Sequence, residues 1–600
     1  MSGRQDTGER VVGPTGAAPS GVHALEQRLG DPLDPANPLG FARILEADER
    51  EEPFLPGERA LDGYGLNAEF VPAAYGGRLT RLDDLVEVMR AVYRRDPSLG
   101  LGYGVSSFLA AVNLWTAGSE RQRERAAELL LGNGRIAVAY HEPDHGNDIT
   151  RTAFEAAATP DGLLLNGRKE VVANIRRAEA MVLLARTDPR DGGRSHSQLF
   201  LEASDLPADR HLPHSPSTGM RGVRLGGIEL RDWPVPADTV IGRPGQGFET
   251  TLKSFQITRT VVVAMFTGIL DTGLRTTLRH VRERRLYGRT AADLPLVRSV
   301  LVGAYTDLLT CEAFAAVATR ALHLAPVEAG IYAQAVKYFV SRTLMDAMHR
   351  LSTVLGAHFY LRDGETAIFQ KLLRDVQPAG FGHAARAICQ LALVQQLPLL
   401  ARRSWGVAEP APAELFRLDA PLPPVPFDRL VVFAGGRERL SSTLLAGPDR
   451  TPHGDDGRRD DDHGDHGHGG HGHGPDELAR LVEHFADELR ELTRICADLP
   501  PSELTTSAAP RTHALADRYV RVLVAAACRE VWRHNRHSAD PLLSDPLWLR
   551  AALTRLAARP GSTPGALPDH VERRMFADLT ERHDLSLSFG LARRPLPDSR

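Results

Sequence analysis

Residues 249–285 read ETTLKSFQITRTVVVAMFTGILDTGLRTTLRHVRERR, with apolar side chains recurring every three to four positions over about ten helical turns. Two further runs of the same texture follow, PLVRSVLVGAYTDLLTCEAFAAVATRAL (295–322) and EAGIYAQAVKYFVSRTLMDAMHRLSTVLG (328–356). Together they predict a four-helix bundle over 246–402. Immediately upstream the period shortens. Between 135 and 245 lie RIAVAY, GLLLNGRKEVV, AMVLLART, SQLFLE and GGIELRDW, divided by Gly, Pro and Asp, which predicts a compact antiparallel β domain. Before it, 24–134 is helical in DDLVEVMRAVYRRD and SSFLAAVNLWTAGSERQRERAAELLLGNG, with Asp96 ahead of Pro97 and Ser119 as helix caps.

The flanks have other textures. Residues 1–23 are polar and rich in Gly and Pro, without the apolar core of a signal peptide, and are expected to be disordered. Residues 403–474 form a linker, first Pro-rich and then HGDDGRRDDDHGDHGHGGHGHG (453–474), which has no apolar side chain with which to pack. Beyond it, 475–600 carries amphipathic runs such as DELARLVEHFADELRELTRICADL and reads as a separate helical domain or an appended helical layer. The expected fold is therefore α+β: an N-terminal helical domain, a central antiparallel β domain, a four-helix bundle and an extra C-terminal helical domain.

Composition removes several functional classes. Six hundred residues exceed one hydrophobic core. With 72 Lys and Arg against 76 Asp and Glu, the chain lacks the basic footprint of a nucleic-acid binder. No uninterrupted apolar run approaches a bilayer crossing, so no transmembrane segment is expected. Four scattered cysteines, Cys311, Cys389, Cys496 and Cys528, suggest neither disulfides nor a thiolate zinc site, and the expected location is cytoplasmic. The tract holding His453, His463, His466, His468, His471 and His473 has imidazoles that a divalent metal can use, but its ligands are not preorganised. It reads as a solvated linker first and a metal-handling element second, and no metal-site residues are assigned. There is no P-loop, no HExxH and no GxGxxG opening a helix.

Several spaced stretches do carry a resemblance: NAEFVPAAYGG (67–77), AVAYHEPDHGND (137–148), LLNGRKEVVAN (164–174), VPADTVIGRPGQGFE (235–249), ITRTVVVAMFTG (257–268), RERRLYGR (282–289), VLGAHFY (354–360) and KLLRD (371–375). In this order the chain resembles the acyl-CoA dehydrogenases over about residues 24–402. The resemblance implies FAD between the β domain and the bundle. It implies a homodimer or homotetramer, and an acyl thioester of CoA or of acyl-carrier protein as substrate, as in fatty-acid metabolism. Reduced flavin would pass electrons to an external acceptor such as an electron-transfer flavoprotein.

By the same resemblance Tyr140, His141, Gly146 and Asn147 would border flavin and substrate, largely through backbone groups. Val171, Val172 and Ala173 stand where the family places an aromatic, an aliphatic and a hydroxyl residue against the flavin, so the hydroxyl is missing. Arg284 would meet the FAD diphosphate across the dimer, with Tyr287 near the adenosine. Gly356 and Ala357 occupy the family's Gly-Gly motif, Ala replacing the second Gly. Arg259 is a candidate substrate contact. The family's basic glutamate is found at neither of its two positions, where this chain has His383 and the pair Thr258–Arg259. His383 is the candidate base, since a neutral imidazole accepts a proton near pH 7. A carboxylate from LRDGET (Asp363 or Glu365) is an alternative. The other readings are a flavin monooxygenase or related oxidoreductase on the same fold, and a catalytically degenerate binding or metal-handling protein.

Overall fold

The computed structural model describes residues 21–146, 148–190, 192–203, 206–407, 409–446, 475–558 and 567–597. The His-rich tract at 453–474 and residues 1–20 lie outside the described residues. Seven helices open the chain: α1 (Val22–Leu29), α2 (Phe41–Glu49), α3 (Leu55–Tyr64), α4 (Leu82–Arg95), α5 (Pro97–Leu99), α6 (Ser106–Ala117) and α7 (Glu120–Leu131). Asp96 caps α5 by accepting from the Ser98 amide. Ser119 and Gln122 close a reciprocal capping box on α7.

Eight strands follow: β1 (Ile136–Ala139), β2 (Glu155–Thr159), β3 (Gly162–Ala173), β4 (Ala180–Arg186), β5 (His196–Glu202), β6 (His211–Leu212), β7 (Leu225–Val235) and β8 (Val240–Ile241). They form one sheet in the order β6-β7-β3-β2-β4-β5-β8, with β1 beside β4. The sheet is mixed rather than purely antiparallel, because β1 runs parallel to β4 in register Ile136↔Ala180. The β2–β3 hairpin lies between them in sequence and supplies the long crossover that a parallel pair needs. Strand β4 is buried from Ala180 to Ala185 because its alternate residues serve two cores. Ala180, Val182 and Leu184 face the helices, while Met181, Leu183 and Ala185 fill the sheet's own interior.

The bundle is α8 (Gly247–Met265), α9 (Thr267–Glu283), α10 (Pro295–Leu324) and α11 (Ala329–Leu355), with a small β9–β10 hairpin (Arg285–Leu286, Arg289–Thr290) between α9 and α10. Short helices α12 (Ala367–Asp375), α13 (Pro378–Phe381), α14 (Arg386–Val394) and α15 (Leu397–Arg403) complete it. Gly247–Glu283 and Pro295–Leu324 are long and apolar enough to cross a membrane, but 94% and 89% of their apolar windows are buried inside the molecule. The C-terminal helices α16 (Pro475–Cys496), α17 (Pro510–Asn535), α18 (Pro541–Ser544), α19 (Leu547–Ala557) and α20 (Asp569–Asp584) are an appended layer on the bundle. Phe485, Tyr519, Trp548 and Met575 belong to the same continuous core as the bundle's Leu308, Phe314 and Leu344.

Candidate active site

The turn after β1 is held by a buried ion pair. Glu142 accepts from the amides of Ala153 (2.8 Å) and Phe154 (3.2 Å) and from Lys169 Nζ at 2.7 Å. Lys169, fully buried on β3, also donates to the Tyr140 carbonyl at 3.1 Å. Burial pushes its ammonium down to about 8, against the pull of Glu142. Two charged residues of the quoted motifs thus set the path of the backbone through Tyr140 and His141.

The Tyr140 side chain points inward. Its hydroxyl accepts from Gln198 Nε2 at 2.9 Å, and its ring tilts against Phe255 of α8 with centroids 6.0 Å apart. Of Tyr140, only the backbone is left to border a ligand. His141 is half-buried, and burial above all lowers its pKa. Gly146 has φ 55° and nothing within 4 Å of where a Cβ would stand. Asn147 lies outside the described residues. On β3 an irregularity between Lys169 and Val172 interrupts the two-residue alternation. Lys169 and Val172 are therefore both inward while Val171 is 46% exposed, with Ala173 half-buried beside it.

His383 lies between α13 and α14 with φ 62°, followed by Ala384 at φ 137°, both unusual for non-glycine residues. Its ring sits 4.2 Å from that of Phe255, and Nε2 is 2.5 Å from Thr258 Oγ1. Thr258 also donates back to the Ser254 carbonyl one turn earlier, at 3.2 Å. Arg259 Nε donates to the His383 carbonyl (3.3 Å), Nη1 to Gln334 (3.2 Å), and the guanidinium lies 4.6 Å above the Phe255 ring. Lys337 Nζ of α11 donates to the Gly382 carbonyl at 2.7 Å. Burial and then Arg259, His141 and Lys337 hold the His383 pKa well below the usual imidazole range. The structure thus brings His383, Thr258, Arg259 and His141 together, and adds Phe255 and Lys337.

Arg284 closes α9 at the other end of the bundle. Its Nη1 meets His358 Nδ1 at 3.1 Å and His280 Nε2 at 3.4 Å, and the two imidazoles lie 4.6 Å apart. His358 follows Gly356 and Ala357, so Arg284 and the Gly-Ala pair are neighbours. Gly356 has φ 59° and open space at its Cβ position, and Tyr287 is 90% exposed. Asp363 and Glu365 are exposed, and Glu365 acts on Arg279 and His280 at this end, not on His383.

Sequence reading passed over His280, His358 and Lys337. The first stands four residues before Arg284, one helical turn away on the same face, and the second follows the Gly-Ala pair directly. Lys337 had only its rarity as a signal, being one of four lysines in the chain. The Lys371–Asp375 ends of KLLRD do not reach His383. They form a buried cluster with Asp96, at 2.6 Å and 2.5 Å from the ammonium, joining α12 to the N-terminal helices.

The family model for the acyl-CoA dehydrogenase C-terminal domain matches residues 245–394. Isovaleryl-CoA dehydrogenase, mitochondrial, of Oryza sativa subsp. japonica is 24% identical over 340 residues, covering 56% of this chain and 82% of that protein. Cyclohex-1-ene-1-carbonyl-CoA dehydrogenase of Geobacter metallireducens is 26% identical over 340 residues, covering 56% and 87%. Among solved structures, the FAD complex of PigA shares the fold with a TM-score of 0.55 at 20% identity, over 61% of this chain and 94% of that one. With the helix, sheet and bundle order and the motif residues gathered at the sheet–bundle junction, residues 245–394 match the acyl-CoA dehydrogenase C-terminal domain, and the chain is similar to acyl-CoA dehydrogenases over 56% of its length.

Proposed function

We propose that the protein is an FAD-dependent oxidoreductase that oxidises the α,β C–C bond of an acyl thioester, bound to CoA or to a carrier protein, with His383 as the base. The residues present fit FAD. Arg284, whose guanidinium meets the imidazoles of His280 and His358, suits a diphosphate met across the dimer, beside a glycine with open space. Val171 offers an exposed apolar side chain next to the turn at His141, as a flat ring requires. FAD, when bound, supplies the acceptor for the hydride that leaves the β carbon.

The observation that carries the reading is the Thr258–His383 contact. In this reading Thr258 spends its one hydroxyl proton on the Ser254 carbonyl and accepts from His383 Nε2–H. That tautomer leaves the Nδ1 lone pair to take the α proton. Burial and the adjacent cations keep the ring neutral in the resting site. Lys337 and Arg259, bonded to the carbonyls of residues 382 and 383, hold the turn that aims it.

Exposed Tyr287, Leu296, Tyr360 and Leu361 lie on the segments around Arg284 and support a homodimer or homotetramer through this face. The four cysteines are all free and buried, which supports a cytoplasmic location. The electron acceptor is read as an external protein of the electron-transfer flavoprotein kind. The test is to purify the full chain and titrate it anaerobically with acyl-CoA and acyl-carrier protein. Stoichiometric FAD and substrate-dependent bleaching are expected. A colourless protein that refuses added FAD overturns the proposal.

A further inference from the structure

Twelve lysine and arginine side chains are buried among the described residues. Nine of them, Arg90, Arg94, Lys169, Arg275, Arg320, Lys371, Arg529, Arg550 and Arg582, have a carboxylate within 4.0 Å. A tenth, Arg95, is held by two carbonyls within the field of Glu26 and Asp31. The remaining two are Arg259 and Lys337, 6% and 4% exposed, and they stand in the same site.

Their hydrogen-bond partners are neutral: the carbonyls of Gly382 and His383 and the amide of Gln334. The groups facing them make the imbalance larger. α14 brings Arg386 and the thiol of Cys389, and the turn after β1 brings His141. Among the described residues no carboxylate acts on either cation. Burial pushes the Lys337 ammonium down to about 8, so it remains mostly charged at neutral pH. Two buried charges of one sign are costly to leave uncompensated, and an anion delivered by a ligand removes that cost.

FAD's diphosphate does not serve, because the Arg284 corner is its match at the far end of α9. A negative charge that develops only during reaction does not serve either, since the imbalance is present at rest. Lys337 uses one of three N–H donors on Gly382, and Arg259 retains Nη2 beyond its bonds to His383 and Gln334. The rim is open to a ligand: Gly382, His383 and Arg386 are half-buried, and Phe381 and Ile388 are exposed.

We infer that the acyl group of the substrate carries its own carboxylate, bound by Arg259 and Lys337 beside His383. This rests on the thioester-oxidoreductase reading and names its substrate class as monothioesters of dicarboxylic acids.

The experiment uses the FAD-loaded full chain. Glutaryl-CoA is compared with pentanoyl-CoA by isothermal titration and anaerobic flavin bleaching, and monomethyl glutarate with dimethyl glutarate by isothermal titration. The carboxylate-bearing member of each pair is expected to bind at least about tenfold more tightly, and Lys337→Met to erase most of that preference while Lys337→Arg keeps it. Equal or tighter binding of pentanoyl-CoA and dimethyl glutarate overturns the inference. Should Lys337→Met fail to fold, the wild-type pairs decide alone. Bleaching by pentanoyl-CoA at equal affinity sinks the carboxylate site and leaves the oxidoreductase reading standing. A tenfold preference for monomethyl over dimethyl glutarate in protein that no thioester bleaches supports the anion site and removes the oxidoreductase reading.

Discussion

Replacing Lys371 by methionine should be among the most destabilising single changes in the N-terminal half of the bundle interface. The ammonium lies 2.6 Å from Asp96 and 2.5 Å from Asp375, and all three side chains are 2% exposed or less. Asp96 also caps α5, and Asp375 accepts from the Ser98 hydroxyl at 3.2 Å and the Met220 amide at 2.5 Å. Methionine matches the stem but strands two buried carboxylates, one of which must take up a proton or draw in water. Breaking a buried pair in this way costs about 3–5 kcal/mol. The exposed Arg43–Glu46 pair, at 53% and 48% side-chain exposure, is the control and is worth at most about 0.5 kcal/mol. Thermal unfolding of the two variants should separate them by about 2–4 °C. Adding Asp96→Asn to Lys371→Met should recover part of the loss, because one stranded charge is removed. If Lys371→Met melts no lower than Arg43→Met, the cluster does not join α12 to the N-terminal helices in the way described.

Two further outcomes follow from the site and the C-terminal layer. His383→Ala should slow substrate-dependent bleaching by at least about a hundredfold, whereas Thr258→Val should shift its pH profile with a smaller loss, since it frees the tautomer without removing the base; undiminished bleaching in His383→Ala would falsify the assignment. His583, with a side chain 10% exposed, has its pKa lowered to about 4 by burial and then by Arg275, Arg282 and Arg279. The unfolded chain binds the proton first as pH falls, so stability is whole above pH 6.5 and is lost between 6.5 and about 4, by about 2 kcal/mol once solvent screening is allowed for. His583→Gln should flatten that part of the pH–stability curve, and an unchanged slope would count against it.

Much of the architecture was legible because it is written in local period. The three-to-four spacing of 249–285 and the short alternating runs of 135–245 each answer to the solvent on one side and a core on the other. Capping by Asp96 and Ser119 is likewise settled within four residues. The parallel pairing of β1 with β4 was not legible, because register between strands forty residues apart depends on the crossover between them.

The site divides along the same line. Sequence by itself determined which residues stand at the motif positions, and that neither position of the expected base holds a carboxylate. It also determined that Lys337 is one of only four lysines. Only the tertiary structure decided their directions. An irregular register step turns Val171 outward where simple alternation would have paired it with Lys169. Tyr140 turns into a polar network with Gln198, away from any ligand. His383 finds Thr258 from 125 residues away, and Lys337 finds Gly382 from 45. The absence of a counter-charge around Arg259 and Lys337 is a property of everything packed against them. Period records what a side chain does relative to its own backbone, whereas charge balance and hydrogen-bond direction depend on neighbours that only folding brings within a few ångströms.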